Sequence, residues 1–172
     1  SAATRHITFL LLDGYLESSV IWAVDVLREA NAVLEYTAYD WSICRLEGHA
    51  GQTSLLDPAI KTISEDILLS RETPFLCVAA GLNSTDCSST INLLRRLYRH
   101  GTSLIGLDYA SMLFAAAGLL NDRNATLHWR AYPTAISRFP AVNWTNKLFE
   151  IDERMATCAG RAATADLMLH FI

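Results

Sequence analysis

The sequence predicts an α/β fold: three layers, α/β/α, around a mostly parallel central sheet. Three observations carry this. Short runs that are apolar throughout recur along the chain, as in residues 7–12, 75–80 and 104–107, and suit strands covered on both faces. The segments between them show helical periodicity, so strands and helices alternate. Turn residues close the runs directly, as at Asp13-Gly14, Gly81 and Asp108-Tyr109.

Each element follows from its residues. Residues 7–12 form the first strand, and residues 18–35 a helix with Val20, Val24, Leu27 and Ala30 or Asn31 on one side. Residues 41–46 read as a second strand. Residues 47–58 are polar and turn-rich, with room for a short hairpin, and residues 63–70 suit a brief helix. The strand at 75–80 leads to an amphipathic helix over 84–99, with Ile91, Leu94 and Tyr98 on one side. The strand at 104–107 and a helix over 110–117, closed by Gly118, come next. Residues 125–128 suit a short strand and 131–137 a helix stopped by Phe139-Pro140. Two short strands, 148–152 and 155–158, flank a turn at Glu153-Arg154. A closing helix covers 162–172.

A chain of 172 residues is enough for one domain with a sizeable core, and one domain over residues 1–172 is expected. Half of it is hydrophobic (51%) and 19% is charged, which excludes a disordered chain. Net charge is −4, and Lys61 and Lys147 are the only lysines, so a nucleic-acid footprint is missing from these residues. No apolar run reaches the roughly 18 residues that span a bilayer. Residues 1–12 lack the pattern of a signal peptide, and the four cysteines are scattered with no CxxC. Reduced thiols in a cytoplasmic protein are expected, with no cofactor and no metal. The sequons at Asn83, Asn124 and Asn143 read as chance matches in that setting.

The stretch 103–129, SLIGLDYASMLFAAAGLLNDRNATLHW, is the most informative. A strand that feeds straight into a helix holds one side chain up at its carboxyl end, the geometry of a nucleophile elbow. Here that side chain is Asp108, where a hydrolase carries Ser or Cys. A site without its nucleophile points to binding, and the chain is expected not to be an enzyme. In a parallel sheet, ligands collect beyond the carboxyl ends of the strands, where Asp13-Gly14, Gly81-Leu82-Asn83 and Asp108-Tyr109 should converge.

Several segments carry a resemblance to a known family: FLLLDGY, VDVLREAN, FLCVAAG, the 103–129 stretch and TCAGRAATADLML. The most specific is AGLL-x-x-R-x-AT-x-HW. The chain resembles the ThiJ/PfpI superfamily, with its flavodoxin-like, class I glutamine amidotransferase-like fold. More narrowly, it resembles the N-terminal ligand-sensing domain of AraC-type transcriptional regulators. The resemblance implies a homodimer and a small effector such as an amino acid or a betaine- or carnitine-like quaternary amine. It also implies DNA binding through two helix-turn-helix units that these residues do not include. Enzymes of the superfamily carry Cys at the elbow and Gly two residues later, where this chain has Asp108 and Ala110. Their acidic residue on the first loop matches the stretch Glu17-Ser18-Ser19, and His128 falls at the family's histidine position. The competing expectations are a hydrolase, deglycase or amidase of the same superfamily, and a purely structural dimerisation module.

The expected ligand-binding residues are Asp108, Tyr109, His128, Trp129, Gly81, Asn83, Glu17 and Cys158. Asp108 can hold a cationic end, or it can cap the following helix. Tyr109 and Trp129 can wall a cation, or pack under the elbow. His128 can donate to a ligand or tune Asp108, or be a satisfied structural histidine. Glu17 and Asn83 have capping alternatives, Gly81 allows close backbone approach, and Cys158 also reads as a small core residue. Arg161 can bind a ligand carboxylate or stay solvated.

Overall fold

Apolar runs that alternate with amphipathic helices build one central sheet. The structure, a computed structural model, describes residues 3–49, 51–84 and 87–172. In chain order the main elements are β1 (Arg5–Leu11), α1 (Glu17–Leu34), β2 (Tyr39–Leu46), β3 (Ile60–Ile63), α2 (Glu65–Ser70) and β4 (Phe75–Ala80). Then come α3 (Ser88–Arg99), β5 (Ser103–Asp108), α4 (Ala110–Ala116), β6 (Asn124–Ala125) and α5 (Tyr132–Arg138). The chain closes with β7 (Asn143–Trp144), β8 (Phe149–Asp152), β9 (Met155–Cys158) and α6 (Ala162–Phe171). The sheet order is β3-β2-β1-β4-β5-β9-β8. All neighbours are parallel except β8, which runs antiparallel to β9.

Both sheet faces are buried, which is why the central strands read as continuous apolar runs. Leu68 of α2, Leu93, Leu94 and Leu97 of α3 and Leu113 and Phe114 of α4 pack with Leu10, Val78 and Leu104 on one face. Val20, Val24 and Leu27 of α1 and Leu167 and Met168 of α6 pack with Phe9, Cys77, Ile105, Leu107 and Cys158 on the other. Gly106 interrupts an otherwise apolar strand for a packing reason. A Cβ there would stand 2.7 Å from Cε2 of Phe114, a fully buried ring.

Differences from the sequence reading lie mostly where the hydrophobic signal is weak. The described residues of the 47–58 stretch hold turns and a short 3-10 segment at Asp57–Ala59, with no hairpin. β3 follows at once and pairs with β2, so Ile63 ends a strand instead of opening a helix. α2 begins after Ser64, whose hydroxyl accepts from Ile67 N at 3.2 Å. The expected strand over 125–128 is only the two residues of β6, paired with β7. The helix expected from residue 84 begins at Ser88. Asn83 sits in the 3-10 turn Leu82–Ser84 and residues 85–86 lie outside the described residues. None of the described helices is long and apolar enough to cross a membrane.

Candidate functional site

The carboxyl ends of β1, β4, β5 and β9 meet at one rim, as their parallel register requires. Ala80 pairs with Asp108, and Leu107 with Cys158. Asp108 ends β5 at φ 60° and Tyr109 follows before α4 begins. This left-handed step lifts the Asp108 side chain off the strand, and few L residues adopt it without compensation. The Asp108 carbonyl accepts the His128 N–H at 2.9 Å, which ties the 121–128 loop to the elbow.

The Asp108 side chain does not cap a helix. It is fully buried, and neither carboxylate oxygen has a hydrogen-bond partner among the described residues. α4 has no side-chain cap. The carboxylate lies against the backbone of Gly160, where any Cβ would overlap it. Burial pushes its pKa up to about 6. The nearby Ser19 hydroxyl and then the Arg161 charge pull the other way, although Ser19 lacks the geometry of a made hydrogen bond to it. Ser19 Oγ instead accepts the Arg161 N–H at 2.7 Å.

The residue after Asp108 begins a stack of three rings. Tyr109 and His128 lie 4.8 Å apart at 22°, and His128 and Trp129 lie 5.9 Å apart at 25°. His128 Nδ1 accepts from the Arg130 N–H at 3.3 Å, so a neutral ring carries its proton on Nε2 and the Tyr109 hydroxyl, 3.2 Å away, donates to Nδ1. Burial lowers the His128 pKa, followed by the charges of Arg161 and Arg130, which keeps the ring neutral near pH 7. Trp129 is 69% exposed, so it does not pack under the elbow. It caps the stack on the solvent side, with the Arg130 guanidinium 5.3 Å from its ring.

No protein-family model matches the sequence. The HTH-type transcriptional regulator CdhR of Pseudomonas aeruginosa is 34% identical over 171 residues, covering 95% of this chain and 48% of that protein. The HTH-type regulator GlxA of Rhizobium meliloti is 32% identical over 174 residues, covering 98% of this chain and 52% of that protein. The chain spans about half the length of the curated relatives it matches. Among solved structures, an AraC family regulator from Pseudomonas putida superposes with a TM-score of 0.80 at 24% identity, covering 97% of this chain and 90% of that one. A ThiJ/PfpI family protein from Pseudomonas syringae superposes at 0.69 and 17% identity, over 99% and 68%. The chain belongs with the ThiJ/PfpI-fold domains of HTH-type transcriptional regulators.

In this regulator domain the other expected residues fall in three places. Cys158 ends β9 fully buried, its sulfur accepts the Gly160 N–H at 3.3 Å, and burial pushes its thiol up to about 11. It shares the core with Cys77, whose pKa burial also raises, and it is not on the elbow. Gly81 is buried against Gly14 and donates its N–H to Asp13 O at 3.2 Å, while Asn83 is exposed beyond it. Glu17 opens α1 and accepts from Leu55 N at 3.2 Å, so from the first helix it is Ser19 that reaches the elbow. Ser19 and Gly160 are the site residues that sequence reasoning missed. The available signals were a small polar residue beside an apolar helix stripe, and a glycine between strand and helix.

Proposed function

We propose that this chain is the small-molecule-sensing domain of an AraC-type transcriptional regulator. It holds an amino-acid-like or quaternary-amine-like effector around Asp108 without chemistry. The single observation that carries the reading is the Asp108 carboxylate, buried with both oxygens unpartnered at the raised corner of the sheet. An uncompensated buried charge costs several kcal/mol, and a cationic guest offsets that cost. The ring stack that begins at Tyr109, the next residue, and continues through His128 and Trp129 supplies aromatic surface, worth about 0.5–2 kcal/mol per cation contact. Gly160 shields the carboxylate here, so the guest enters when the Gly160–Arg161 turn moves. That movement gives the effector two arrangements to discriminate.

In this reading residues 1–172 are one domain of a cytoplasmic homodimer. DNA is contacted through a separate helix-turn-helix region, as the relatives' names suggest. A groove of about 550 Å³ between α1 and α6, lined by Trp22, Val33, Leu34 and Leu169, offers apolar surface for pairing.

The competing reading is a superfamily hydrolase, deglycase or amidase. A carboxyl with a pKa of about 6 at the elbow favours it, since proton transfer is efficient near that value. Against it stands the lack of a nucleophile at the elbow, with the Cys158 thiol held protonated. Thermal-shift screening with amino acids, polyamines and quaternary amines tests the sensor. A ligand at 100 times its Kd adds about 2.7 kcal/mol of stability, and Asp108→Ala should abolish the gain with the fold intact. Turnover of methylglyoxal or glutamine that vanishes in Asp108→Asn would overturn the non-catalytic reading.

A further inference from the structure

Of the four cysteines, three are alike and one is not. Cys44, Cys77 and Cys158 are buried in the core, and burial pushes all three thiols up. Cys87 is only half-buried. It sits at the cap position that opens α3, where its carbonyl accepts the Ile91 N–H at 3.0 Å. Its thiol is shifted the other way, downward. The Ser89 hydroxyl is the main cause and the Thr90 hydroxyl the next, with the Thr90 and Ser89 N–H groups adding to them and burial opposing. These causes are hydrogen-bond donors, not a charge.

The placement of the donors points to an acceptor that a neutral thiol does not supply. Cys87 Sγ and Ser89 Oγ are 3.2 Å apart. Thr90 Oγ1 belongs to a residue 1% exposed and has no hydrogen-bond partner, although it is close enough to act on the sulfur. A buried hydroxyl left unpaired is uncommon and destabilising. The Ser89 and Thr90 N–H groups lie in the first turn of a 12-residue helix, where no helical carbonyl reaches them, and the Cys87 side chain makes no cap hydrogen bond. The positive end of the helix dipole is there as well. Two hydroxyls and two N–H groups thus face one sulfur. A thiolate, or an oxygen carried on the sulfur, accepts from them; a thiol hydrogen does not.

We propose that Cys87 is an oxidisable thiol, which takes one oxygen from a hydroperoxide and becomes a sulfenic acid held by Ser89 and Thr90. The thiolate attacks the terminal peroxide oxygen. An S–O bond forms and the O–O bond breaks. The alkoxide, or hydroxide from hydrogen peroxide, leaves with the electron pair and is protonated by water. The sulfur is oxidised and the peroxide reduced. The Thr90 hydroxyl then gains the acceptor it lacks. Cys44, Cys77 and Cys158 do not compete, being buried and held protonated. β4 ends at the rim where Ala80 pairs with Asp108, and Cys87 lies on the connection from that rim into α3. The proposal does not depend on what Asp108 holds.

The test uses the reduced 172-residue chain. One sample receives a limiting pulse of iodoacetamide and another hydrogen peroxide with dimedone, and both are read by peptide mass mapping. In the folded chain Cys87 should be alkylated about tenfold faster or more than the other three cysteines. The midpoint of its pH–rate profile should lie below that of the same residue in the urea-unfolded chain. Dimedone should label Cys87 first, and Cys87→Ser should remove that signal. Thr90→Val deletes the unpaired hydroxyl at nearly constant shape, so Tm should hold or rise. Its midpoint should nevertheless move up, and alkylation near pH ~7 should slow about threefold, the change in thiolate for roughly half a pK unit. Ser89→Ala should act in the same direction. A midpoint at or above the unfolded one, dimedone adducts that appear first on a core cysteine, or rates and midpoints that neither Thr90→Val nor Ser89→Ala alters would each overturn the assignment.

Discussion

Asp108→Asn should change how stability depends on pH, with a size that follows from the elbow. The carboxyl moves from 3.8 to about 6 on folding, chiefly because it is buried. At ~1.4 kcal/mol per pK unit this is about 3 kcal/mol. A carboxyl whose pKa rises on folding holds its proton more tightly when folded. Wild type therefore gains stability as pH falls from above 6 towards 3.8, and the gain is complete below that value. Asparagine has no such proton, so the difference between variant and wild type should move in the variant's favour by about 3 kcal/mol from pH ~4 to pH ~8. Its amide brings donors that need partners, at roughly 1–3 kcal/mol if none is found. That shifts the whole curve but not its slope. His128 works in the opposite sense: its lowered pKa withdraws stability as pH falls, and it acts alike in both proteins and cancels. Urea unfolding at a series of pH values measures the difference. For a domain of this size the alkaline arm should appear as a relative Tm change of about 10 °C. A difference that stays flat with pH, or grows in acid, refutes the account of the buried carboxyl.

Gly160→Ala should destabilise the fold by at least about 2 kcal/mol, since the new Cβ overlaps the Asp108 carboxylate and the residue sits at φ 91°; chemical denaturation checks it. Tyr109→Phe removes one donor to His128 Nδ1 and leaves the Arg130 N–H, so a loss of about 1 kcal/mol is expected, together with a shifted His128 titration by NMR. Phe114→Ala empties a fully buried site against Gly106 and should cost about 3–5 kcal/mol in the same denaturation assay.

The sheet was legible because its strands are covered on both faces, so the residues of β1, β4 and β5 had to be apolar in sequence. The elbow was legible for the same reason: β5 passes into α4 within two residues. β3 was not, because Lys61 and Thr62 are both exposed on a short edge strand beside turn-rich sequence, which breaks the alternation that marks a strand. The site was half legible. Asp108 and His128 are reached by local pattern, one at a strand end and the other in a motif. The contacts that surround the elbow, Asp108 against Gly160 and Ser19 to Arg161, join residues far apart in the chain, and no window of sequence shows them. Of the two readings of Trp129, exposure of the ring at the surface removes the one in which it packs under the elbow.

The place of β9 in the sheet has a consequence during synthesis. β5 is hydrogen-bonded on its far side by β9, which the ribosome delivers some fifty residues later. Until residue 158 emerges, the nascent sheet ends on the apolar flank of Leu104, Ile105 and Leu107, a bare edge open to other chains. The strand that carries the elbow is thus the last central one to be closed in. A protein cut short before β9 should aggregate instead of yielding a smaller working unit.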